Sequence, residues 1–220
     1  MQYGFTVMAE QSTPRQMIDG AVRAEEAGFD FLMVSDHFHP WLESQGQSPF
    51  TWSVLGAIAE RTERIEILTA VTCPFVATMA GRIGDAAMLV EADADLVAAF
   101  RSAGGEGKPV YGQAAVCWAG DAASARATAL ERWRFALSGW KVQAELPNVA
   151  NFEAESANAR EEDVAKMVTC GNDPDTFVEA LRTWEKAGFT HLGVVQAGDD
   201  QAGFMRFWQQ ELRPRLTAPA

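Results

Sequence analysis

The chain has 220 residues, 48% of them hydrophobic and 22% charged, with a formal charge of −12, so it can bury one sizeable core and a single domain over residues 1–220 is the default expectation. Its acidic balance and dispersed Lys and Arg exclude a nucleic-acid surface. No apolar run reaches the about 18 residues of a membrane helix, and the start lacks the basic-then-apolar layout of a signal peptide, so a cytoplasmic protein is expected.

In chain order, residues 2–8 read as a strand, and Ser12-Thr13-Pro14 then offers an N-cap with proline in the first turn of a helix running to Ala27. The apolar run 29–34 is a second strand. A helix over 51–62 leads to a third strand over 64–71, and 85–90 makes a fourth, followed by a helix over 94–102. After the loop Gly104-Gly105-Glu106-Gly107-Lys108-Pro109, residues 111–118 form a fifth strand. Helical text follows over 121–137 and from Arg160, and Asp173-Pro174 opens a helix to Ala187 that Gly188 terminates. A sixth strand covers 190–196 and a last helix 201–212. Strands alternating with helices imply parallel pairing and an α/β fold. Cys73, Cys117 and Cys170 have no paired spacing, so neither a disulfide framework nor a metal site is expected, and all three read as reduced and structural.

Chemistry concentrates at Ser35-Asp36-His37-Phe38-His39-Pro40-Trp41, which sets two of the three histidines beside an acid and an indole after the second strand. Ligands in parallel α/β folds collect at the carboxyl ends of strands, where loops vary without disturbing the core. An Asp beside a His can orient the ring or contact a ligand while the His moves a proton near neutral pH. By itself the dipeptide is equally ordinary loop chemistry, with Asp36 satisfying backbone donors. Trp41 and Trp52 have a plain reading as packing residues, and His39 as a solvated loop residue. His191 begins the last strand, at the end of a barrel associated with stability, and reads as structural. Glu10-Gln11 follows the first strand on the active face without an assigned role, and Lys141 is either a surface charge or an anion contact.

The ordered pieces Tyr3-Gly4-Phe5-Thr6, Ala24-Glu25-Glu26-Ala27-Gly28-Phe29-Asp30, Ser35-Asp36-His37 with Pro40-Trp41, Ser48-Pro49-Phe50-Thr51-Trp52, Glu60-Arg61-Thr62 and Thr69-Ala70-Val71-Thr72-Cys73-Pro74 carry a resemblance. Over these residues the chain resembles the luciferase-like superfamily of oxidoreductases that use the deazaflavin coenzyme F420, in its glucose-6-phosphate-dehydrogenase-like branch. The likeness resumes at Ala80-Gly81-Arg82 and continues through Gly139-Trp140-Lys141-Val142 and Phe189-Thr190-His191. It implies an α/β fold of TIM-barrel type. A complete (β/α)₈ barrel takes about 250 residues, whereas this text runs from Cys73-Pro74-Phe75 directly to Val76-Ala77-Thr78-Met79-Ala80-Gly81-Arg82, as if two barrel units were deleted near residues 75–79. The expectation is a barrel shortened to about six strands.

The resemblance also implies roles. His37 matches the base or proton relay at the substrate hydroxyl, and Trp41 the indole packed at the reacting centre. Asp36 matches a cofactor contact, and Ala70 and Val71 a strand-end pair behind the deazaflavin ring. The family's second catalytic group, a glutamate in a Gly-rich turn, has no counterpart. Sugar-phosphate specificity does not carry over, because the stretch Glu91-Ala92-Asp93-Ala94-Asp95 is acidic where a cation would be needed. Three functions stay open: hydride transfer between F420 and a small alcohol or carbonyl compound, a non-catalytic flavin- or deazaflavin-binding remnant, and an FMN-dependent luciferase-like monooxygenase. A homodimer is expected from the family and from the strand edges that the deletion exposes.

Overall fold

A computed structural model describes residues 1–69 and 86–217. Its strands are β1 (Gln2–Val7), β2 (Phe31–Val34), β3 (Glu66–Thr69), β4 (Ala87–Leu89), β5 (Val110–Trp118), β6 (Thr169–Gly171) and β7 (His191–Gln196). They form one parallel sheet of 7 strands in the order β3-β2-β1-β7-β5-β4, with β6 also paired to β5. Pairing of the first strand with the last is how a (β/α) barrel closes, and here Gly4 faces Phe31 on β2 and Gly193 on β7. The strand path ends at β3 and β4, which are consecutive among the described strands. The expected α/β, TIM-barrel-like architecture is therefore present in shortened form. It carries one strand more than the six expected: β6 has only three residues, too few for a periodic signal, and forms because Cys170 and Gly171 pair with Cys117 and Trp118. Ala70, Val71, Cys73 and the junction near residues 75–79 lie outside the described residues, as does the side chain of Lys141.

The helices are α1 (Pro14–Glu26), α2 (Thr51–Ala59), α3 (Ala94–Phe100), α4 (Ala122–Trp133), α5 (Gly139–Gln143), α6 (Val149–Glu155), α7 (Glu161–Val164), α8 (Pro174–Lys186), α9 (Gln201–Phe207) and α10 (Arg213–Thr217). Local chemistry explains the longest. Thr13 and Gln16 make a reciprocal capping box with Pro14 in the first turn of α1. Asp173 caps α8, and Gly188 at φ +92° takes the left-handed position after its end. The short α5 and α6 have no comparable sequence signal. Helix α6 is held by its Asn148 cap and by burial of Phe152. Among the described residues no helix is long and apolar enough to cross a membrane.

Alternation along β1 sends Tyr3, Phe5 and Val7 into the main core with Leu32, Val34, Leu192 and Val194. An aromatic stack anchors that core: Trp208 lies 4.2 Å from Phe29 at 17° and meets Tyr3 edge-on at 5.5 Å. The other face of the sheet is crowded. A Cβ on Gly193 would stand 2.2 Å from Met33 Sδ, so only glycine lets β7 lie this close to the β2 side chains. The two described cysteines, Cys117 and Cys170, are free and sit in register on adjacent strands, with burial pushing their thiols up to about 12 and about 11. Such thiols are poor nucleophiles near neutral pH.

At the carboxyl end of α1, Glu25 accepts the backbone N–H groups of Arg64 (2.7 Å), Ile65 (2.8 Å) and Glu63 (3.1 Å), which orders the entry to β3. The Arg64 N–H contributes most to holding this carboxyl below its ordinary value of 4.5.

Two outcomes are expected. Trp208, 1% exposed, should cost about 3–5 kcal/mol when replaced by Ala, read as a lower urea midpoint by far-ultraviolet circular dichroism. Because the folded pKa of Glu25 is depressed, its contribution is present above pH 4.5 and is lost as the pH falls through the lower folded value. The midpoint difference between wild type and Glu25→Gln should thus be constant above pH 4.5 and shrink below it.

Candidate active site

The register Val7↔Val34 brings β1 and β2 to their carboxyl ends at the same level. Beyond β1 the chain enters a 3₁₀ turn, Ala9–Gln11, which turns Glu10 inward until it is 0% exposed. Beyond β2 come Ser35, Asp36 and His37. The two ends are joined through the buried carboxylate. Ser35 Oγ donates to Glu10 Oε2 at 2.6 Å and accepts the Ala9 N–H at 2.8 Å, while Glu10 Oε1 pairs with His37 Nδ1. A carboxylate accepts and does not donate, so Nδ1 carries a proton and, whenever the ring is neutral, Nε2 is the accepting nitrogen. The His37 side chain is 31% exposed, and its Nε2 has no hydrogen-bond partner among the described residues. The arrangement is that of a base oriented by a buried acid, the logic of a catalytic triad without its nucleophile.

The loop that follows returns to the backbone of the same two strand ends. Gln47 N–H donates to the Glu10 carbonyl at 2.9 Å, Ser48 Oγ to the His37 carbonyl at 2.6 Å and Thr51 Oγ1 to the Ser35 carbonyl at 3.0 Å. Trp41 meets the His37 ring at 4.3 Å and 71°. Its indole is stacked on Phe135 at 5.3 Å and 7°, and Phe152 approaches edge-on at 5.0 Å. Phe135 lies in the 3₁₀ turn Arg134–Ser138 after α4, and Phe152 on α6, so the segment between β5 and β6 builds one wall of the site.

His37 and Trp41 are thus brought together. Asp36 sits between Ser35 and His37, exposed, with no hydrogen bond to its carboxylate among the described residues. His39 holds the Pro40 carbonyl with Nδ1 at 2.9 Å and lies 6.4 Å from Phe152. His191 is at the opposite, amino-terminal end of the sheet, tilted at 33° against Tyr111 at 4.4 Å, and burial pushes its imidazole below the ordinary 6.5. Gln11 donates to the Gln196 carbonyl at 3.3 Å. Sequence reasoning leaves Glu10 without a role, although an acid just past the first strand, beside a strand end bearing histidine, is a signal that could have raised it. Gln45, Phe135 and Phe152 carry no comparable signal.

The family model described as luciferase-like monooxygenase matches residues 1–92. A curated relative, the F420-dependent glucose-6-phosphate dehydrogenase of Intrasporangium calvum, is 46% identical over 74 residues, which are 34% of this chain and 22% of that protein. The chain therefore matches under a quarter of the length of such relatives. Among solved structures, an F420-dependent secondary alcohol dehydrogenase in complex with an F420–acetone adduct is similar over 99% of both chains, with a TM-score of 0.84 and 16% identity. The F420-dependent tetrahydromethanopterin reductase of Methanopyrus kandleri is similar over 98% of this chain and 99% of its own, with a TM-score of 0.64 and 13% identity. Residues 1–92 thus match the luciferase-like family model, and the described chain has the fold of these F420-dependent enzymes.

Proposed function

We propose that this protein is an F420-dependent oxidoreductase that interconverts a small neutral alcohol and its carbonyl compound, with His37 as proton acceptor and Trp41 as the wall of the reacting centre. The observation that carries the reading is the His37 imidazole, half-buried, held at Nδ1 by the buried Glu10 carboxylate and open at Nε2. Its location after β2, the matched relatives and the fold support it.

The residues present fit such a coenzyme. Asp36 offers an unengaged carboxylate to a polar edge, and the Trp41 indole and the Phe38 ring, 98% exposed, offer apolar surface to a flat heterocycle. Ala70 and Val71 are proposed as its strand-end contacts. When bound, F420 supplies the C5 position that takes or gives a hydride. His37 Nε2 takes the hydroxyl proton as the carbinol hydrogen leaves as hydride, and returns the proton to the carbonyl oxygen in the reverse direction. Glu10 keeps the ring in the accepting tautomer and stabilises the imidazolium that results. Trp41, clamped by Phe135 and Phe152, keeps water from that side of the ring.

A neutral substrate is favoured over a sugar phosphate. Arg132 is paired with Asp199 at 3.1 Å and Arg134 with Glu153, so the two arginines that flank Trp133 are already committed. Asp36 and Glu43 on the loop repel an anion. The same reading takes the protein to be a cytoplasmic homodimer of single-domain chains, each with an internal deletion near residues 75–79.

Titration with F420 and, in parallel, with FMN, followed by fluorescence with molar mass read by light scattering, tests the proposal. F420 binding by a dimer is expected. FMN binding alone would favour a luciferase-like monooxygenase, and binding of neither a non-catalytic remnant. Replacing His37 by Ala should lower turnover about 100-fold or more with F420 affinity nearly unchanged. Loss of affinity with turnover intact would contradict the role. Glu10→Gln, which can present an amide N–H to Nδ1, should lower turnover by a similar factor of about 100, whereas Asp36→Asn should chiefly weaken F420 binding.

A further inference from the structure

Trp41 has a support that neither its aromatic neighbours nor the Glu10–His37 pair explains. Gln45 is a neutral polar side chain only 4% exposed, in a loop whose other members at 43 and 46 face solvent. Its Oε1 accepts the Trp41 N–H at 2.9 Å and the Leu42 N–H at 3.2 Å, and its Nε2 donates to the Arg132 carbonyl at 3.3 Å. The turn is otherwise closed by the Gln45 N–H donating to the Leu42 carbonyl at 3.1 Å. Without the Gln45 amide the N–H of Leu42, a residue 0% exposed, would be buried without an acceptor.

The Gln45 amide is the centre of a wider seam. The Arg132 guanidinium donates to the Ser44 carbonyl and pairs with Asp199, on the loop after β7. Ser44 Oγ donates to the Glu131 carbonyl at 3.0 Å, and the Glu43 N–H to Glu153 Oε1 at 3.0 Å, while Arg134 holds the other Glu153 oxygen. Residues 41–45 are thereby joined to the segment that supplies Phe135 and Phe152. Both ring contacts on Trp41 depend on that join, because the rings belong to one segment and the indole to another.

We propose that Gln45 is a positioning residue that acts through Trp41: it holds the backbone of the turn against α4 so that the indole stays between His37 and Phe135. The inference rests on the oxidoreductase reading for its kinetic consequence but not for its geometric content.

The test uses the full chain carrying 5-fluorotryptophan, with the Trp41 fluorine line assigned by Trp41→Phe. In Gln45→Met the Trp41 line should shift or broaden more than any other, and turnover should fall about tenfold with F420 affinity within about twofold of wild type. Placed in the Trp41→Phe background, the same substitution should change turnover less than about twofold, because the residue it acts through is gone. Should the Met variant not fold, Gln45→Asn, which stays polar but is one methylene too short to span both bonds, is read in the same way. An unmoved Trp41 line, or a turnover loss of equal size in the two backgrounds, would overturn the proposal. If the wild-type protein binds no F420, the oxidoreductase reading fails by itself, and the fluorine line still decides the positioning.

Discussion

The site depends on one buried charge. A carboxylate removed from water costs several kcal/mol unless its oxygens are satisfied, and Glu10, with 0% exposure, is satisfied among the described residues by two side chains, Ser35 and His37. Both lie on the neighbouring strand's extension. The pairing of β1 with β2 sets the distance between them, and the carboxylate in turn fixes which imidazole nitrogen carries a proton. The loop beyond His37 also returns to Glu10, where the Gln47 N–H donates to the backbone carbonyl.

Around this pair the fold supplies rigidity by parts that are distant in sequence. The core under β1 is aromatic and tightly packed, from Tyr3 and Phe5 to Phe29 and Trp208. Above the strand ends, the segment between β5 and β6 contributes Phe135, Phe152 and two arginines, Arg132 and Arg134, that are held in ion pairs. The join that holds Trp41 therefore also engages both of these cations.

Much of this architecture is legible in the sequence because it is local. Alternation marks β1, an apolar run marks β2, and Thr13-Pro14 and Gly188 mark helix ends through their own backbone preferences. The meeting of His37 with Trp41 was legible from their shared motif and the family it resembles. The partners of those residues were not. Glu10 is 27 positions from His37, and Gln45 is 87 from Arg132, so only the folded chain can bring either pair together. Burial is equally silent in the sequence: nothing local distinguishes the enclosed Glu10 from the many exposed acids of a chain with net charge −12. Strand β6 and helix α6 are short and owe their form to pairing or to a buried ring, where tertiary contacts outweigh propensity.

The central claim is that Glu10 sets the His37 tautomer. The most direct measurement is a long-range ¹H–¹⁵N correlation spectrum of protein labelled at its three histidines, with His37 assigned by substitution. The account predicts that whenever the His37 ring is neutral its proton sits on Nδ1 and Nε2 is bare, and that Glu10→Gln loses this preference. A His37 protonated on Nε2, or one exchanging between tautomers as a free imidazole does, would contradict it.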